Sequence, residues 1–240
     1  MILRRFMQHV KEQNWFAVGL DMIVVILGIL IALGIDEWRQ DQEDLALEIN
    51  YAQNLISDLD TDREELTDYR DTVLAQKSKM LEAILTIKEV PDDMDVSLFT
   101  IRNIDYSGYR AIPTPNNTTF REVENSSHFR LIRKDELRKA ISLYYDKYQQ
   151  NYEILSTPLG RYQVLIAETF PGQIYMKSFL GEEELSPEVV RNWLRKFISH
   201  PEFEAAINAE FYYTTDQIFW INRILEQGAD LEQSLKAAYK

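Results

Sequence analysis

The first apolar stretch of the chain is unbroken. From Phe16 to Ile35 only Asp21 is charged, and a helix of that length, rising 1.5 Å per residue, spans about 30 Å, the hydrocarbon thickness of a bilayer. Trp15 and Trp38 stand just outside its ends, where amphipathic rings suit the two interfaces, and Asp36 and Glu37 mark where water resumes. The pattern predicts a transmembrane helix over 16–35 after a short cytoplasmic tail, 1–15. Ala32 to Gly34 offers a small-x-small cleavage pattern, but the apolar run is too long for a cleaved signal and the helical pattern continues past it, so an uncleaved signal anchor is expected.

The next stretch, Asp36 to Lys88, holds no Pro and no Gly. Its apolar residues fall at spacing seven: Leu45, Ala52, Leu59, Leu66, Val73, Met80, Ile87. Extended backwards, the series meets Trp38, Ile31, Val24 and Ala17, and a companion series four residues on holds Asp21, Gly28, Ile35, Gln42, Ile49 and Ile56. The pattern predicts a coiled-coil-like stalk over 36–90, continuous with the membrane helix, with a seam of Leu45, Ile49, Ala52, Ile56, Leu59, Leu66 and Val73. The companion series then turns basic at Arg63, Arg70 and Lys77. Such positions weaken a parallel homomeric coiled coil, so the distal half of the stalk is expected to pack on later helices of the same chain.

Beyond Pro91 the period is lost. Val90 to Asn117 holds three prolines and one glycine, which predicts a long irregular connection over 91–117 with one short helix near Ser97. Thr119 with Glu122 fits a capping box for the next helix, and Asp135 fits the cap of a longer one. In that longer helix Leu137, Ile141, Tyr144, Tyr148, Tyr152 and Leu155 recur at helical spacing, and the tyrosine stripe reads as an amphipathic core face. Thr157-Pro158-Leu159-Gly160 and Pro171-Gly172 bracket a short helix, and Ser186-Pro187 opens another. His200-Pro201 starts the last long one, with Phe203, Ile207, Phe211, Ile218, Ile221 and Leu225 in period, Gly228 as its stop and a short terminal helix over 230–239. The whole is an all-α chain: one N-terminal transmembrane helix continuous with a long helical stalk, then an extracytoplasmic helical bundle in a domain over 91–240.

Composition narrows the function. Gly 8 and Pro 7 are too few for a turn-rich β architecture of this length. With no Cys, disulfides, thiolate metal sites and Cys nucleophiles drop out. A net charge of -13 repels a phosphate backbone, so no nucleic-acid partner is expected. His9, His128 and His200 are scattered without a partner at ligand spacing, and no phosphate-binding glycine loop, dinucleotide fingerprint or G-x-S-x-G is present, so neither metal, cofactor nor catalytic residue is assigned. Asp58, Asp60 and Asp62 resemble the start of a calcium loop, but Arg63 stands where glycine is needed and Tyr69 where the closing glutamate belongs, and the acids read as a solvated helix face. Arg4, Arg5 and Lys11 precede the span whereas Arg39 alone follows it closely, which keeps the N-terminus in the cytoplasm and places the main domain in the periplasm of a diderm cell.

Two segments carry a resemblance. "GILIALGIDEW" contains G-I-L-I-A-L-x-I-x-x-W at Gly28 to Leu33, Ile35 and Trp38. The stretch from Thr118 to Tyr148 follows T-F-x-E-L-x-x-S-G-x-L-x-L-I and then L-R-x-x-I-x-x-Y-Y at Thr119, Phe120, Glu122, Ser126, Leu131, Ile132, Leu137, Arg138, Ile141, Tyr144 and Tyr145. Together they make the chain similar to a family of bacterial single-span membrane proteins classed as a domain of unknown function. Val123 stands for the family's Leu and Ser127 for its Gly, a residue that suggests a special backbone conformation. The resemblance implies an anchor and a helical domain, and carries no activity.

The expected function is that of a membrane-anchored scaffold or interaction protein, without enzymatic activity, whose partners are the lipid bilayer and a second copy of itself or another membrane or periplasmic protein. Two alternatives stand beside it: a single-span subunit of an ion-coupled complex using Asp21, and a membrane-tethered enzyme. Within the span, Ala17, Asp21, Gly28 and Ala32 share one face at 100° per residue, where small residues allow a close helix contact and an ionisable group finds a polar partner.

Overall fold

A computed structural model of the chain describes residues 15–156 and 160–239. All regular structure among them is helical. The tail, with Arg4, Arg5, His9 and Lys11, and the segment Thr157-Pro158-Leu159 lie outside the described residues. The chain divides into two compact units, 1–52 and 53–240.

The first helix, α1, runs from Trp15 to Asp68. Within the first unit, every large apolar side chain from Leu20 to Ile35 is exposed, and the most apolar 18-residue window, of mean hydropathy 2.7, has no buried share. This is one helix long and apolar enough to cross a membrane.

In the second unit α1 buries Leu55, Leu59, Asp62 and Leu66, and Tyr69 follows just past its end, steps of four and three that make a two-column seam. Ala52, Leu59 and Leu66 of the expected series are buried, but the second column lies three residues on instead of four: Ile49 is 36% exposed, Ile56 half-buried and Arg63 exposed. Leu45 is half-buried. Asp62 and Tyr69, which are polar, disguise the true column in the sequence. The helix then passes through one π turn, Tyr69–Leu74, before α2, Ala75–Leu85. A π turn inserts one residue into the repeat and shifts every later position by one. Leu74 therefore takes the buried place expected of Val73, which is half-buried, and Lys77, Leu81 and Ile84 follow it inward, while Met80 of the expected series and Lys77 of its companion are themselves buried. The helix ends at Leu85, short of Lys88.

The connection from 91 is pinned. Arg195 donates to the carbonyl of Val90 at 3.0 Å and to Asp92 at 2.6 Å, and Arg191 to the carbonyl of Met94 at 3.1 Å. Its short helix, α3, spans Ile101–Ser107, capped by Thr100, whose hydroxyl accepts the Asn103 N–H. Ser97, where a helix was expected, instead closes a turn onto Asp95, which accepts both its N–H and its hydroxyl.

Next come α4, Thr118–Asn125, a 3-10 turn, His128–Leu131, and α5, Asp135–Leu155. Neither expected cap forms: Thr119 lies inside the first turn of α4, and Asp135 lies inside that of α5, paired with Arg138 and Lys139. Leu137, Ile141, Tyr144, Tyr148 and Leu155 are buried along α5, and Phe120 stacks on Tyr145 with ring centroids 4.6 Å apart.

The remaining helices are α6, Arg161–Thr169, α7, Gly172–Phe179, α8, Pro187–Ile198, and α9, Phe203–Ala238. Ser186 caps α8 by accepting the Val189 N–H. The Pro171-Gly172 pair that bounds α6 also starts α7, a helix its half-exposed sequence does not announce. Gly228 does not stop α9. A Cβ there would lie 3.2 Å from the ring of Tyr144, so the residue serves close approach within a helix that carries on to Ala238. Around Trp193, Phe197 and Tyr162, α2, α3, α6, α8 and the start of α9 close one apolar cluster, and Trp193 Nε1 donates to Thr169 Oγ1 at 3.1 Å.

Ser127 has φ 60° and ψ 15°, the left-handed conformation that favours glycine. Cβ strain in that region costs a non-glycine residue roughly 1–2 kcal/mol, partly offset by the chain entropy that glycine gives up. Ser127→Gly should raise the unfolding free energy by about 0.5–1 kcal/mol, measured by urea unfolding; a loss of stability would contradict the left-handed assignment.

Candidate functional site

The strongest polar constellation gathers on Asp58 and Asp62, one turn apart on α1. Asp62 is 1% exposed. Its Oδ1 accepts the Asn116 backbone N–H at 2.8 Å, and its Oδ2 accepts the Tyr144 hydroxyl at 2.9 Å. Asp58 accepts the Thr119 N–H at 3.1 Å and the Asn116 side-chain amide at 3.2 Å. The first-turn N–H groups of a helix have no partner within it, and here α4 is capped across the fold by α1. The acids therefore do not form a solvated face. Asp60 alone follows that expectation, pairing with Arg63 near the surface. Asp62 falls three residues after Leu59 and four before Leu66, and that spacing was the signal that could have found it.

Burial pushes the Asp62 carboxyl up to about 6, against the downward pull of the Asn116 N–H and the Tyr144 hydroxyl, with the charges of Asp58 and Glu65 adding to the rise. Burial and the Asp62 charge in turn raise the Tyr144 hydroxyl above its ordinary range. The segment that carries the resemblance thus surrounds a buried carboxylate: Thr119, Phe120, Ile132, Leu137, Tyr144 and Tyr145 are buried, Leu131 is half-buried, and Glu122 and Ser126 are exposed. Ser126 turns its hydroxyl back onto the Glu122 carbonyl at 2.7 Å.

A second polar centre was not foreseen. Lys77 and Glu210 are both 0% exposed. Lys77 Nζ donates to Glu210 Oε1 at 2.6 Å and to the Tyr109 carbonyl at 2.7 Å, and Arg110 donates to Glu210 Oε2 at 2.6 Å. The Arg110 guanidinium lies over the Tyr213 ring, 4.2 Å from its centroid. Burial holds the Lys77 ammonium below its usual range, with Glu210 pulling it back up. A Cβ on Gly160 would collide with Arg110, so that glycine makes room for the guanidinium. Spacing put Lys77 in the basic part of the companion series, but it gave no sign of the partners Glu210 and Arg110, which come from distant parts of the chain.

Beside Arg110 opens a cleft of about 580 Å³ between α3, α6 and α7. Its walls are largely apolar, and its size is that of a small-molecule site. Among the described residues no three His, Asp or Glu side chains converge as a metal would need. On the apolar helix, Gly28 and Ala32 face open space and Asp21 is half-buried, while the side chain of Ala17 lies outside the described residues.

The folded protein holds the Asp62 proton more tightly than the unfolded chain does. This group therefore adds stability as pH falls from above 6 towards the ordinary 3.8, and adds none above that window. Asp62→Asn removes the titration. Between about pH 7.5 and about pH 4 the unfolding free energy of the native protein should gain roughly 2–3 kcal/mol on that of the variant, followed by tryptophan fluorescence in urea. A difference independent of pH would contradict the buried carboxyl. A scan against protein-family models, a search of curated proteins and a search of solved structures each give no match.

Proposed function

We propose that the chain is a single-span protein of a bacterial inner membrane, with its N-terminus in the cytoplasm and a helical bundle outside it. There it acts as a non-enzymatic scaffold for a membrane or periplasmic partner or for a second copy of itself. The observation that carries this reading is the uncovered apolar helix, in which no residue of an 18-residue window of mean hydropathy 2.7 is buried. Each aliphatic side chain left in water forgoes about 1.5–3 kcal/mol, and a run of them calls for an apolar medium. Arg4, Arg5 and Lys11 before the run, against Arg39 after it, support the orientation.

A second reading, a subunit of an ion-coupled complex, draws on one observation. Asp21 Oδ2 is shielded and has no hydrogen-bond partner among the described residues, as an acid awaiting a polar partner in a membrane would be. A polytopic protein that co-purifies with the native chain and is lost from Asp21→Leu supports it, and unchanged assembly rejects it.

The anchor is tested by carbonate washing and by protease on spheroplasts. The protein should stay in the membrane with its N-terminus intact, and protease should digest everything beyond Trp38. Release by carbonate, a new N-terminus near residue 35, or full protection from protease would overturn the corresponding part of the reading.

A further inference from the structure

The cleft between α3, α6 and α7 is apolar, but its polar groups are one-sided. Ile104, Ile166 and Phe170 supply the greasy wall. Gln163, which also lines it, donates through Nε2 to the Gly108 carbonyl, and this bond fixes the orientation of its carboxamide. Its Oε1 is shielded from water and so lies out of the reach of a ligand in the cleft. Asp105, on α3, accepts the Tyr175 hydroxyl on Oδ1 at 2.5 Å, which leaves Oδ2 able to accept from a ligand. The cation in the wall, Arg110, gives two N–H groups to Glu210 and lies over the Tyr213 ring, so its charge is already met within the fold.

The cleft thus offers an apolar wall and one carboxylate with an oxygen left for a donor. A hydroxyl gives that oxygen a donor alone; an ammonium brings a donor and the charge that Asp105 complements, and Tyr109, Phe170 and Tyr175 line the same cleft. We propose that this cleft binds a small hydrophobic primary amine, with its ammonium group donating to Asp105 and its apolar body on Ile104, Ile166 and Phe170. The site is separate from the anchor and does not depend on the partner of the scaffold reading.

Three probes share one apolar body and differ in the head group: 2-phenylethylamine, 2-phenylethanol and 3-phenylpropionate. Each is titrated calorimetrically into the full chain in lipid nanodiscs, with empty nanodiscs as the blank. The amine should bind roughly tenfold or more tightly than either competitor, the margin expected of a hydrogen bond to a charged group. Asp105→Asn keeps an acceptor for Tyr175 and should weaken the amine by a similar factor while leaving the alcohol unchanged. Ala167→Trp, made at an exposed position on the rim, should abolish binding of all three by filling the cleft. Helix content by circular dichroism confirms that both variants are folded. No measurable binding of the amine, equal binding of all three heads, tighter binding of the carboxylate, or amine binding that survives Ala167→Trp in the folded protein would each overturn the proposal.

Discussion

The carboxylates of Asp58 and Asp62 accept hydrogen bonds that the segment entering α4 has nowhere else to make. Asn116 and Thr119 bring backbone N–H groups to them, and Tyr144 brings a hydroxyl from α5. A buried donor left without an acceptor costs about 1–3 kcal/mol, so removing either carboxylate exposes a penalty on another element. The same tyrosine needs the missing side chain of Gly228 to lie against α9. Helices α1, α4, α5 and α9 are in this way tied through one ring and two acids, and the aromatic packing of Phe120 on Tyr145 fills the space around them.

The centre at Lys77, Glu210 and Arg110 plays a different part. Taking such charges out of water gives back much of the attraction between them, so a buried ion pair is a poor source of stability. Its contribution is to register. Without the π turn at Tyr69–Leu74 the inward column would continue through Val73 and Gln76, and Lys77 would point elsewhere. Breaking the regular helix by one residue is what lets a cation from α2 meet a carboxylate from α9, and π turns often mark places where function or specificity is set.

Much of this was legible in the sequence. Helices α1, α5, α8 and α9 follow from apolar period and from the Ser186-Pro187 start, because burial of an apolar face is what that period records. What escaped were positions where a polar residue occupies a buried place. Asp62 and Tyr69 hid the second column of the seam, and the apolar Ile49 and Ile56 suggested a false one. Glu210, Thr214 and Gln217 are buried in α9, and none of them belongs to its apolar period. Gly228 read as a helix stop because the ring of Tyr144 that explains it comes from 84 residues earlier in the chain. Local pattern carries no information about such partners.

The account turns on the two carboxylates as acceptors for backbone N–H groups outside regular hydrogen bonding, and amide hydrogen exchange at Asn116 and Thr119 tests that most directly. In the native protein both amides should exchange as slowly as the core of α5, and in Asp58→Ala the Thr119 amide should exchange far faster while α5 stays protected. Rapid exchange at both amides in the native protein, beside a protected α5, would contradict the account.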